Sequence, residues 1–105
     1  MVKNITDLRQ LFHSFKWNSN IAEELPYIEI TILHRGAPND QRKFRYEDII
    51  RMDGNFMVLK NEMDEEVYIP FHRILLIENT HTGYTHYQNW KLKEEGFLQD
   101  KNENP

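Results

Sequence analysis

The residues best suited to chemistry in this chain come as two matching dipeptides, His34-Arg35 and His72-Arg73. The first closes an apolar stretch and runs into Gly36-Ala37-Pro38-Asn39-Asp40. The second follows Ile69-Pro70-Phe71 and leads into Ile74. A guanidinium offers a rigid fork of donors that matches phosphate or carboxylate oxygens. An imidazole adds a neutral donor beside it. A glycine that accepts φ > 0 lets backbone N–H groups approach the same anion. His34, Arg35, Gly36, His72 and Arg73 are therefore the candidate phosphate-binding residues. The plainer alternative pairs Arg35 and Arg73 with Asp40, Glu78 or other carboxylates and turns the histidines toward backbone carbonyls. Residue types alone favour that alternative.

Other chemistries find less support. His81 and His86 sit five apart across an expected turn, but zinc needs a third or fourth ligand in fixed geometry, and nothing in the spacing gathers His72 or Glu78 to them. They read as ordinary histidines, and no metal or other cofactor is expected. None of the five histidines starts the His-x-Thr or His-x-Ser repeat of a two-histidine phosphoesterase. A Gly-x-Ser-x-Gly elbow and a Gly-Lys-Thr phosphate loop are both missing, so no catalytic residue is assigned. The chain has no cysteine, which excludes disulfides and thiolate sites.

The elements that must hold these residues follow from periodicity. Leu8, Leu11, Phe12 and Phe15 fall on one face of a helix over 6–17, with Thr6 or Asn4 as N-cap. Ile28, Ile30 and Ile32 alternate with Glu29 and Thr31, which predicts a strand over 27–34 with the isoleucines inward and His34 at its end. Residues 36–40 form a turn and 41–45 a short strand. Tyr46 to Met52 reads as a helical turn burying Ile49 and Ile50. Asn55 to Lys60 is a strand with Phe56 and Val58 on one face, and it pairs back with Glu65 to Ile69. Pro70 marks a strand end or edge. Residues 73–79 and 84–90 complete the strands around the turn at His81-Thr82-Gly83.

The expected core is Leu8, Leu11, Phe12, Phe15, Ile28, Ile30, Ile32, Ile49, Phe56, Val58, Ile69, Ile74 and Ile77. The expected fold is α+β, with an N-terminal helix packed on a small, strongly curved antiparallel sheet or partial barrel. Residues 1–93 form the single domain and 94–105 a polar, disordered tail.

With 105 residues and a net charge of −4, the chain lacks the global basic footprint that drives duplex binding. No apolar run matches a signal peptide or membrane span, so a cytoplasmic protein without a membrane partner is expected.

In this order and spacing, the two His-Arg segments resemble a small archaeal and bacterial family whose domain is named the RNA cyclic group end recognition domain. Its pattern runs from an N-terminal helix to a strand ending in His/Asp-Arg-Gly, with a proline and an acidic residue shortly after. A central Asp-Ile, a strand, Ile-Pro-x-His-Arg-Ile and a hairpin ending near a tryptophan follow. Here these are Leu8 to Trp17, His34-Arg35-Gly36-Ala37-Pro38-Asn39-Asp40, Asp48-Ile49, Phe56, Ile69-Pro70-Phe71-His72-Arg73-Ile74 and Trp90, so the resemblance spans about residues 5–90. The chain departs from the pattern in its last turn, where Glu78 to Asn89 is longer and rich in Thr, His and Tyr.

The resemblance implies an accessory module that binds RNA ends, 2′,3′-cyclic phosphates among them, beside RNA-processing enzymes. Tyr84, Tyr87 or Trp90 would then stack on the terminal base. The competing expectations are an RNA-end phosphoesterase using His34 and His72 as an acid–base pair, and a protein-interaction adaptor with no RNA site. The oligomeric state is left open.

Overall fold

A computed structural model describes residues 5–18 and 21–89, with side chains from Leu8 onward. The expected N-cap Asn4, the closing Trp90 and the 94–105 tail lie outside these residues. Helix α1 spans Ile5–Trp17. Leu8, Phe12 and Phe15 are buried and Leu11 is half-buried, as the 3.6-residue period requires. Thr6 falls inside the helix and does not cap it. A 3-10 segment, Ala22–Tyr27, then carries the chain into strand β1, Ile28–Leu33.

The described residues contain seven strands, β1, β2 (Gln41–Arg45), β3 (Arg51–Asp53), β4 (Phe56–Lys60), β5 (Glu66–Pro70), β6 (Ile74–Asn79) and β7 (Thr85–Gln88), and every pairing between them is antiparallel. They form two sheets, ordered β2-β1-β6-β7 and β3-β4-β5, with no closed barrel among the described residues. The α+β class and the helix packed on a sheet are as expected. Ile28, Ile30 and Ile32 are all at most 1% exposed, and they pack with Leu8, Phe12 and Phe15 of α1, with Phe71, and with Met57 and Leu59 of β4. Pro70 ends β5, an edge strand, where its missing N–H costs the ladder nothing.

Two expectations are corrected. The helical turn over 46–52 is only a 3-10 turn at Tyr46–Asp48, and β3 follows it. The Ile50 N–H is taken by the Val58 carbonyl at 2.8 Å, so the chain joins the ladder instead of winding on. Ile49 is consequently half-buried and Ile50 is 47% exposed. Phe56 is 40% exposed, because it lies at the end of the sheet opposite Pro70, where its ring sits T-shaped to that of Tyr68. The neighbouring face of β4, Met57 and Leu59, fills the main core in its place.

Candidate anion-binding site

Strands β1 and β6 are antiparallel neighbours, and this adjacency brings the two His-Arg segments together. Their register runs from Ile28 opposite Asn79 to Thr31 opposite Leu76, then shifts so that Ile32 opposes Ile74. Leu75 is the extra residue of a β-bulge, a feature that bends a strand and re-aims the side chains beyond it. One step past the final pair lie Leu33 on one chain segment and Arg73 on the other. There a cavity of about 220 Å³ opens, lined by Leu33, His34, Arg35 and Arg73.

Both walls are anchored. The His34 N–H donates to the Asp40 carbonyl at 2.7 Å, and the Ala37 N–H to the His34 carbonyl at 3.2 Å. The Gly36 N–H donates to Asp40 Oδ1 at 3.1 Å. Gly36 has φ +93° with open space where a Cβ would stand, so glycine is needed for the backbone angle and not for room. On the other side, Phe71–Arg73 is a single 3-10 turn. Phe71 is 2% exposed and its N–H bonds the Asn55 carbonyl at 2.8 Å. A buried ring thus fixes the turn that presents Arg73 to solvent.

Neither Arg35 nor Arg73 has a carboxylate partner among the described residues. Asp40 is engaged by the Gly36 N–H, and Glu78 is buried further along β6. The pairings of the plainer alternative are therefore not formed. Two guanidiniums and one imidazole share a concave site without a counter-charge, an arrangement suited to one anion.

The other candidates stand apart. His72 is exposed and does not line the cavity, so the structure does not gather it with His34 as an acid–base pair there. Gly36 shapes the loop but is not part of the wall. His81 stacks on Tyr27 with ring centroids 4.8 Å apart, while His86 Nε2 lies 3.2 Å from Glu24 Oε1. Asn79 Nδ2 donates to the same Glu24 oxygen at 3.0 Å, and this bond chiefly holds the Glu24 carboxyl below its ordinary range, against the effect of burial and with help from His86. Tyr87 is buried in the core and is not free to stack on a base, while Tyr84 is exposed.

A second and larger cavity, about 510 Å³, escapes the reading of the sequence. It runs between α1 and the 46–54 segment. Arg9, His13 and Lys16 stand along one helix face at i, i+4 and i+7, with Trp17 beside them. That spacing is visible in the sequence, but it looks like any solvated helix face until a wall is known to stand opposite.

No protein-family model and no solved structure matches the chain. Curated relatives do. A UPF0248 protein of Methanococcus maripaludis strain S2 is 38% identical over 81 residues, which is 77% of this chain and 96% of the relative. A UPF0248 protein of Methanococcus vannielii is 36% identical, over 77% of this chain and 89% of the relative. One from Methanocaldococcus jannaschii is 31% identical, over 77% and 91%. By identity and by nearly full coverage of these relatives, the chain belongs to the UPF0248 family.

Proposed function

We propose that this protein is an RNA-binding module that recognises RNA ends, in particular 2′,3′-cyclic phosphate ends, in RNA processing or repair. The observation that carries the reading is the convergence of Arg35 and Arg73, with His34, on one cavity without a carboxylate partner among the described residues. A cyclic phosphodiester bears one negative charge, so one forked guanidinium, a second cation and a neutral donor suffice to hold it. The volume, about 220 Å³, lies below the range of about 300–1,000 Å³ typical of drug-sized ligands and suits a phosphate with part of its ribose. The resemblance of the two His-Arg segments to the RNA cyclic group end recognition domain supports the choice of ligand. The absence of cysteine fits work in the cytoplasm, and RNA-processing enzymes are the natural partners of such a module.

A double-mutant cycle tests it. Wild type, Arg35→Ala, Arg73→Ala and the double variant are titrated with a short RNA ending in a 2′,3′-cyclic phosphate. Each single substitution removes a charged hydrogen bond of about 1.5–3 kcal/mol, a loss of tenfold or more in affinity. If both arginines hold one phosphate, the double variant loses less or more than the two losses combined. Strict additivity, or unchanged affinity in the single variants, contradicts a shared site.

A further inference from the structure

We infer that the groove between α1 and the 46–54 segment binds single-stranded RNA leading up to the end, taking the base of the nucleotide on its 5′ side. The inference rests on the end-recognition reading for the placement of the strand, but the groove carries its own observations. Its charge is one-sided: Arg9, His13 and Lys16 line it, and among the described residues no aspartate or glutamate does. Arg51 also borders it, but its guanidinium is already forked by Glu66 at 2.8 and 2.9 Å and bonded to the Tyr68 hydroxyl at 3.0 Å. Arg9 and Lys16, both on the helix, have no ion-pair partner among the described residues. In a molecule of net charge −4, a local cluster of this kind is a specific feature and not a reflection of overall composition.

The groove also offers flat apolar surface to a base. Trp17 is 67% exposed and Ile50 47% exposed at its rim. The Trp17 ring already has Lys16 Nζ over its face, 5.3 Å from the centroid, and His13 at 6.2 Å. Phe12 and Tyr46 stack at 20° with centroids 6.5 Å apart and stiffen the wall beneath. Cations interleaved with an exposed indole form the combination that holds single-stranded nucleic acid, phosphates on the charges and a base on the ring. An acidic peptide would use the charges but gains nothing from the indole.

The two sites are joined by one turn. Phe71 lines the groove and Arg73 lines the anion cavity. Two residues of chain span at most about 7 Å, so neighbouring nucleotides of one strand can occupy both places.

The test is a length series. Mono-, di- and trinucleotides with cyclic phosphate or hydroxyl ends are titrated into the full chain as wild type, Trp17→Ala, the double substitution Arg9→Gln with Lys16→Gln, and Arg73→Ala. All of these positions are exposed, and urea midpoints confirm that each variant is folded. The expected result is a gain of about tenfold from mono- to dinucleotide, the effect of one stacked base. That gain is lost in the two groove variants and kept in Arg73→Ala. Affinity independent of length, or a length gain that survives in both groove variants, overturns the groove assignment while leaving the cavity reading intact. A length gain on the groove with no discrimination between the ends refutes the cavity reading and leaves the groove standing. Tighter binding of an acidic peptide than of the trinucleotide, sensitive to the same groove variants, also overturns the assignment.

Discussion

Arg35 and Arg73 differ from four other cations of the described surface in what surrounds them. Lys43 meets Glu29 at 3.8 Å, Arg45 meets Glu47 at 3.0 Å, and Lys60 meets Asp64 at 3.0 Å. Arg51 is the extreme case, its guanidinium made still less acidic by the bonds it donates to Glu66 and then to the Tyr68 hydroxyl. Arg35 and Arg73 share a cavity whose described lining is otherwise only Leu33 and His34. Like charges lining one cavity without a counter-ion among the described residues contribute nothing favourable to folding, which is what the proposed anion site requires of them. Each should be dispensable for stability: Arg35→Ala and Arg73→Ala should shift the urea unfolding free energy by no more than about 0.5 kcal/mol. Ile30→Ala, which empties a site of 0% exposure, should cost about 2–5 kcal/mol in the same assay. A loss above about 1 kcal/mol in both arginine variants would mark them as structural. The dipeptides themselves were readable, since each sits beside a turn-forming residue. Their lack of partners was not, because a carboxylate nearby in sequence, such as Asp40, turns out to serve the Gly36 N–H.

At the scale of elements, alternation and helical period located α1 and most strands to within a residue or two. What they miss are segments whose hydrogen bonds are settled by distant chain. The 46–52 stretch is drawn into the ladder by Val58, and Phe56 loses its place in the core to the opposite face of the same strand. The convergence of the two His-Arg segments likewise depends on β6 returning beside β1, a pairing that no local spacing encodes.

The Glu24–Asn79–His86 group ties the 3-10 segment before β1 to the β6–β7 turn. Asn79 also accepts the N–H groups of His81 and Thr82 at 2.9 and 3.0 Å. Because the Glu24 carboxyl is held below its ordinary value of 4.5, the unfolded chain takes up the proton first as pH falls. The contribution of Glu24 is complete above the ordinary carboxylate range and is lost as pH falls through the depressed folded value. Comparing wild type with Glu24→Gln by urea unfolding should therefore show a stability gap at neutral pH that closes on acidification. A gap that holds constant or widens toward low pH would mean that the carboxylate is not what links these two elements.

For the whole molecule, the governing feature is an acidic chain in which, among the described residues, Arg35 and Arg73 line one cavity and Arg9 and Lys16 another, all four without a carboxylate partner. Among the described residues no helix is long and apolar enough to cross a membrane, and no three His, Asp or Glu side chains gather as a metal would need. Composition and net charge already argued against a duplex-binding protein. The division into two sheets was less legible than the strands themselves, since turn residues mark where strands stop and not which strands meet. A protein of net charge −4 repels a long phosphate backbone, so the proposed binding of an RNA end has to rest on the terminal phosphate and the few groups next to it. The most direct measurement is a titration of the wild-type chain with one short RNA sequence carrying either a 2′,3′-cyclic phosphate or a plain hydroxyl at its end, repeated across a range of salt. The cyclic end should bind about tenfold tighter or more, and log affinity should fall with log salt at a shallow slope of about −1 to −2, the signature of one or two phosphates engaged. Equal affinity for the two ends at every salt concentration would contradict recognition of an RNA end.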